Sequence, residues 1–262
     1  MTMNVFCRHG DWPARLDLLR DEIARLQPDL IALQEIVVDA QGDEAREILG
    51  DRYDVVHSRR RSSDGMGIAL ASRWPLRDVE EPELPVSAQT GDFPSTALMA
   101  EAETSLGPVL LVNHFPDYQP ANELERERQA VTVAHAIETR VANRPVHLVL
   151  AGDMDAEPDA ASLRFFRGRQ SLDGMSVCYR SAWEVAHRGQ WEATFTERNA
   201  LMSEATDGWP FQVIDHLLVR CGEEGWPTLR TVRCDLVGNV PLGETWASDH
   251  FGLVADLALA RE

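Results

Sequence analysis

The sequence predicts a mixed α/β domain, one body in which β-sheets are covered by outer helices. Three observations predict it. Roughly ten short apolar runs of strand character are interspersed with segments whose apolar residues recur every three or four positions. No low-complexity linker or shift in composition divides the chain. Its 262 residues, 44% hydrophobic and 26% charged, suffice for one large core.

The elements follow in order. Thr2 to Phe6 reads as a first strand, and a loop through Trp12 leads to a helix starting near Pro13, a residue favoured at a first helical position. Leu16, Leu19, Ile23 and Leu26 give that helix an apolar stripe that leaves Arg15, Asp17, Arg20, Asp21 and Arg25 mostly outward, and Pro28 stops it. Leu30 to Leu33 is a second strand ending at Gln34-Glu35. A short helix over 43–49 and a strand over 53–57 lead to the basic loop 59–64. Met66 to Ser72 is strand-like, and Trp74-Pro75 turns the chain. Strands over 97–103 and 109–114, separated by Ser105-Leu-Gly-Pro108, form a hairpin. A helix spans Glu123 to Val141. Val146 to Ala151 is a strand fit for burial on both faces, and Gly152 after it lets the backbone turn or approach a neighbour closely. Helices start at Pro158-Asp159 and near Arg180, the pattern weakens from Arg188 to Trp209, and strands return over 212–219, 229–237 and 252–259.

Composition excludes several chemistries. The formal charge is 25 − 43 = −18, and all 25 cations are arginine. Without a lysine there is no Walker-A phosphate loop, pyridoxal Schiff base or lysine nucleophile. Such acidity weighs against a broad nucleic-acid surface, though not against a small phosphorylated substrate held by a few arginines. The four cysteines show no Cys-x-x-Cys pair, which argues against a zinc knuckle and suggests reduced thiols. With no secretory pattern and no apolar run near 18 residues, a cytoplasmic protein without a membrane span is expected.

Polar residues gather at the ends of apolar strands: Asn4, Glu35, His114, Asp153 with Asp155, Asp215-His216 and Asp249-His250. If the strand ending in Ala151 persists through Asp155, alternation places Asp153 and Asp155 on one face. Two adjacent carboxylates repel unless a cation, a proton or hydrogen bonds intervene, so the pair reads as a metal or catalytic site; the alternative is a solvated turn. Asp215 interrupts an otherwise buried strand, which is costly unless it is paired. Each residue alone has a structural explanation. Six such sites at strand ends do not.

The order of Thr2-Met-Asn4-Val, Pro28-Asp-Leu-Ile-Ala-Leu-Gln-Glu35, Gly67-Ile-Ala-Leu-Ala-Ser-Arg73, Asn113-His114, Gly152-Asp-Met-Asp155 with Pro158-Asp159, Ile214-Asp215-His216 and Ser248-Asp249-His250 resembles the endonuclease/exonuclease/phosphatase superfamily over nearly the full chain. The resemblance implies a four-layer αββα sandwich, two facing mixed β-sheets with outer helices, and a site where strand ends of both sheets meet. It implies Glu35 as principal ligand of Mg2+ or Mn2+, with Asp249 supporting the metal. Asn4 would donate to the attacked phosphate or support the metal. Asp153 would orient and deprotonate the attacking water, His250 would donate to a phosphate oxygen, and Asp215 would fix the ring of His250. His114 matches a second histidine that assists the leaving group.

One departure is Asp155, where the superfamily usually has asparagine. Three accounts compete: a protonated Asp155 that still donates, an ionised one that binds metal, and a site that has lost its chemistry. The metal account is preferred, because water and a divalent cation favour the ionised form. His216, where relatives often carry an aromatic, is expected to pack. Arg59, Arg60 and Arg61, then Arg164, Arg167 and Arg169, offer bidentate phosphate contacts or a salt-bridged face; Arg59, Arg61 and Arg164 are the substrate-binding candidates. Trp12, Trp191, Trp209 and Trp246 could stack a base or sugar, or anchor the core. The expected function is metal-dependent hydrolysis of a small phosphomonoester or phosphodiester, with a DNA or RNA nuclease and a non-catalytic binding module as rivals. Oligomeric state is not readable.

Overall fold

The computed structural model describes residues 1–202, 212–222 and 224–260. The chain begins with β1 (Thr2–Asn4), α1 (Trp12–Leu26), β2 (Leu30–Asp39), β3 (Gly42–Asp43), α2 (Glu44–Leu49), β4 (Asp54–His57) and β5 (Met66–Ser72). It continues through β6 (Leu76–Glu80), β7 (Thr96–Thr104), β8 (Gly107–Phe115), α3 (Glu123–Val141), β9 (His147–Asp153) and α4 (Ala161–Phe166). It ends with β10 (Tyr179–Ser181), α5 (Ala182–His187), β11 (Asp215–Arg220), β12 (Leu229–Val237) and β13 (Gly252–Leu259).

The strands form two mixed sheets. One has the order β12-β13-β1-β2-β5-β4, with β3 on β2, and the other β10-β11-β9-β8-β7-β6. Three apolar layers follow from the alternation of side chains along the strands. Ile31, Leu33 and Ala69 pack under Leu19 and Ile23 of α1 and Ile48 of α2. Leu98, Leu111, Val149 and Leu217 meet Ile68, Leu70 and Leu253 between the sheets. Leu110, Val112, Leu148 and Leu150 pack under α3 and α4. This is the four-layer αββα sandwich. Among the described residues no helix is long and apolar enough to cross a membrane.

Local chemistry explains the element ends. The Asp11 carboxylate caps α1 by accepting from the Ala14 amide at 3.3 Å, and Gln27 closes the helix in the left-handed region before Pro28. Three strands not read from the sequence, β3, β6 and β10, have two, five and three residues. They are too short or too charged to show a period, and β6 and β10 are edge strands, where exposed charge is expected. The strand expected to stop at Gln34-Glu35 runs on to Asp39, after a shift of register between Leu33 and Ile36. The helix expected at Pro158 starts at Ala161. Trp209 lies outside the described residues.

Candidate active site

The second sheet delivers its part of the site by regular pairing. In the antiparallel ladder of β9 and β11, Asp153 lies directly opposite Asp215. The connection between β12 and β13 brings His250 to face both: its Nδ1 is 3.0 Å from Asp215 Oδ2 and its Nε2 is 3.8 Å from Asp153 Oδ2. These three residues offer ligand atoms within 4.8 Å of one another, and all are buried. Thr194 Oγ1 accepts from the amides of Ile214 and Asp215, both at 3.1 Å, and Asn199 donates to the Ser248 carbonyl at 2.7 Å, pinning the loop that carries His250. Neither residue was foreseen, since the pattern around them is weak. Gly152 is required here: with φ +149°, a Cβ would stand 2.0 Å from the His114 carbonyl oxygen.

The first sheet delivers its part by irregular backbone. Asn4, at the end of β1, divides its amide between Asp153 Oδ2 at 2.9 Å and Glu35 Oε1 at 3.0 Å, so a single side chain joins the two sheets. Glu35 has left-handed backbone, φ 54°, as do Phe6 and Cys7 just after Asn4. Such conformations cost free energy in residues with a Cβ and persist only where the surroundings enforce them. Arg15 enforces the loop. Expected to point outward, it is instead buried, and its guanidinium donates to the carbonyls of Val5, Cys7 (3.1 Å), His9 (2.7 Å) and Ala247 (3.1 Å). Arg15, Leu19 and Ile23 fall on one helical stripe, a signal that was present in the spacing.

Burial shapes the protonation of the cluster. Asp153 is pushed up to about 7 by burial, with repulsion from Asp215 and Glu35 adding and His250 opposing. Burial, together with the charges of Asp153 and Glu35, pushes Asp155 well above the carboxylate range. Asp249 is raised to about 6 by burial, and Glu35 adds to it. Burial disfavours the charged form of His250, yet Asp215, Asp153 and Asp249 outweigh it and hold the ring protonated well above its ordinary value. Clustered carboxylates raised chiefly by burial, with mutual repulsion adding, are oxygen donors that fit a hard divalent cation.

The other sequence-derived candidates lie apart or differ in geometry. β9 ends at Asp153 and Asp155 takes φ 45°, so the two aspartates do not share a strand face; the Asp155 amide instead donates to Asp153 Oδ1 at 3.3 Å. His114 is buried with its ring edge-on to Phe166, centroids 5.9 Å apart, and burial lowers it to about 3. His216 is buried, with Nε2 2.9 Å from the Ala156 carbonyl oxygen. The Arg59 amide donates to Glu81 while its guanidinium is largely exposed, Arg61 donates to the carbonyls of Ile36 and Gly65, and Arg164 bonds Gln170. None of these three contacts involves the aspartate cluster. Trp12 lies against Arg15, Trp191 against Arg167 and Trp246 against Phe251.

A profile of the endonuclease/exonuclease/phosphatase family matches residues 1–250. The chain belongs to this family. Members of the endonuclease/exonuclease/phosphatase family are generally metal-dependent hydrolases of phosphoesters. The fold is shared with the human Nocturnin catalytic domain with bound sulfate anion, at 19% identity and TM-score 0.74, over 98% of this chain and 93% of that one. It is also shared with D. rerio TDP2 complexed with single strand DNA product, at 17% identity and TM-score 0.72, over 95% and 93%. A Bacteroides vulgatus family member, 17% identical, gives TM-score 0.73 over 99% and 97%. No curated protein matches the sequence.

Proposed function

We propose that this chain hydrolyses a small phosphomonoester or phosphodiester by in-line attack of a water held by Asp153, with Mg2+ or Mn2+ bound at Glu35. The observation that carries the reading is the position of Asp153 between the Asn4 amide and the His250 ring, within hydrogen-bond reach of a water that could attack a phosphorus held at Glu35. Asp215 fixes the His250 ring through Nδ1, which leaves Nε2 facing the reaction as donor to a phosphate oxygen where charge develops. Glu35 is the proposed principal metal ligand, with Asp155 and Asp249 supporting it. When bound, the cation supplies charge neutralisation for the phosphoryl and leaving oxygens. Asn4 holds Glu35 and Asp153 in register. His114, buried against Phe166 and held neutral, is not positioned to give a proton to a leaving group, and its proposed part is limited to packing behind the site.

A small substrate is favoured by the net charge of −18 and by the internal partners of Arg61 and Arg164. The proposed location is cytoplasmic. The second reading is a nuclease, favoured by the likeness to TDP2 bearing a DNA product. A panel of phosphomonoesters, phosphodiesters and DNA with Mg2+, Mn2+ or Ca2+ is expected to show turnover of a small ester that Glu35→Ala abolishes. Turnover insensitive to Glu35→Ala overturns the site assignment, and metal-dependent nicking of DNA with no small-ester turnover selects the nuclease.

A further inference from the structure

The carboxylate proposed to hold the metal stands in an interruption of its own sheet. The ladder between β2 and β5 runs in register to Leu33 opposite Ala69 and resumes at Ile36 opposite Gly67. Gln34 and Glu35 therefore face Ile68 alone, a β-bulge, and Glu35 turns left-handed within it. A bulge re-aims a side chain only if its ends are fixed; left to itself, a left-handed glutamate would relax into the β region.

We infer that Asn113 is the positioning residue that fixes this bulge, and that it does so from the opposite sheet. Asn113 is on β8 and wholly buried. Its Nδ2 donates to the carbonyls of Leu33 at 2.9 Å and Ala69 at 3.0 Å, the two residues of the last pair before the interruption. Its Oδ1 accepts from Gln34 Nε2 at 2.6 Å, inside the bulge. Gln34 Nε2 also donates to Thr2 Oγ1 at 3.1 Å, on the strand that ends in Asn4. One carboxamide thus grips both sides of the last pair and one bulged residue. In the parallel ladder of β8 and β9, Asn113 lies opposite Ala151, two residues before Asp153. The residue that holds the Glu35 bulge is therefore anchored beside the strand that presents Asp153, and it sets the offset between the two proposed functional carboxylates.

This inference rests on the reading of Glu35 as a metal ligand, and Asn113 touches neither metal nor substrate. Three variants separate hydrogen bonding from packing. Asn113→Leu keeps the volume and removes the donors, Asn113→Asp keeps the shape but turns a carboxylate toward two carbonyl oxygens, and Asn113→Ser retains one short donor. Mn2+ binding to each chain, without substrate, is read by electron paramagnetic resonance of the free ion, beside amide hydrogen exchange over residues 34–37 and thermal melting. We expect Asn113→Leu to melt cooperatively, to bind Mn2+ about 10- to 100-fold more weakly and to exchange faster over the bulge. Asn113→Asp is expected to be worse and Asn113→Ser intermediate; if Asn113→Leu does not fold, the Asn113→Ser chain carries the same test. Mn2+ affinity within about threefold of wild type together with unchanged exchange overturns the inference. If Glu35→Ala itself leaves Mn2+ binding intact, the metal reading fails, and exchange over 34–37 alone decides whether Asn113 holds the bulge.

Discussion

The two halves of the site are built by opposite means. Asp153 and Asp215 face each other on an unbroken antiparallel ladder, so strand register alone brings two carboxylates to His250. Asn4 and Glu35 are reached through a bulge, two consecutive left-handed residues and a buried arginine. The regular half follows from pairing rules. The irregular half depends on side chains that hold strained backbone, so the two should fail differently: the regular half through lost chemistry, the irregular half through lost geometry.

Arg15→Ala is the most severe break of the irregular half. It leaves the carbonyls of Val5, Cys7, His9 and Ala247 without their donor, and a loss of about 3 kcal/mol or more is expected. Denaturant unfolding measures it. Arg15→Lys keeps the charge with fewer donors and should recover part of the loss; full recovery would show that charge alone matters.

Asp153→Asn is the matching break of the regular half. The side chain keeps its shape, so the rate should fall by about 10²- to 10⁴-fold with the melting temperature preserved. A parallel collapse of stability would erase the distinction between the halves.

A smaller effect comes from pH. Asp153 and Asp249 have folded pKa values of about 7 and about 6, above those of the unfolded chain, and His250 is also raised. Raised groups bind more protons in the folded state, so stability of the metal-free protein should decline as pH rises through that window, by at most ~1.4 kcal/mol per pH unit for each fully titrating group. His114 and His216, lowered to about 3 and about 4, act with the opposite sign, costing stability as pH falls below the ordinary histidine range. In melting curves across pH these two sets oppose each other between the ordinary carboxylate value of 3.8 and about pH 7, and above that range the raised Asp155 and His250 continue the decline, which Mg2+ should flatten. Asp155→Asn should weaken the Mg2+ effect while leaving hydrolysis measurable; an unchanged metal titration would remove Asp155 from the proposed ligand set.

The same division governs what the sequence revealed. The strand before Asp153 and the hairpin of β7 and β8 were legible because an apolar run ending in a polar residue is a local pattern. Glu35 was legible as a residue, but its bulge was not, because a register shift exists only between two strands. Arg15 was misread because a cation on an apolar stripe is usually at the surface, and burial becomes tolerable only where several carbonyls from distant segments converge on it. The end of β9 at Asp153 was hidden for a related reason: the left-handed turn at Asp155 belongs to a residue that period-2 reasoning treats as a continuation of the strand.

Asn4 gives the molecule a built-in reporter. Its amide spans carboxylates from two different sheets, so docking of the sheets and completion of the site are a single event. A molecule whose layers begin to part loses that bridge before it loses either sheet. Cation affinity would then register separation of the layers earlier than any spectroscopic measure of secondary structure, and a saturating divalent ion would oppose that separation by mass action.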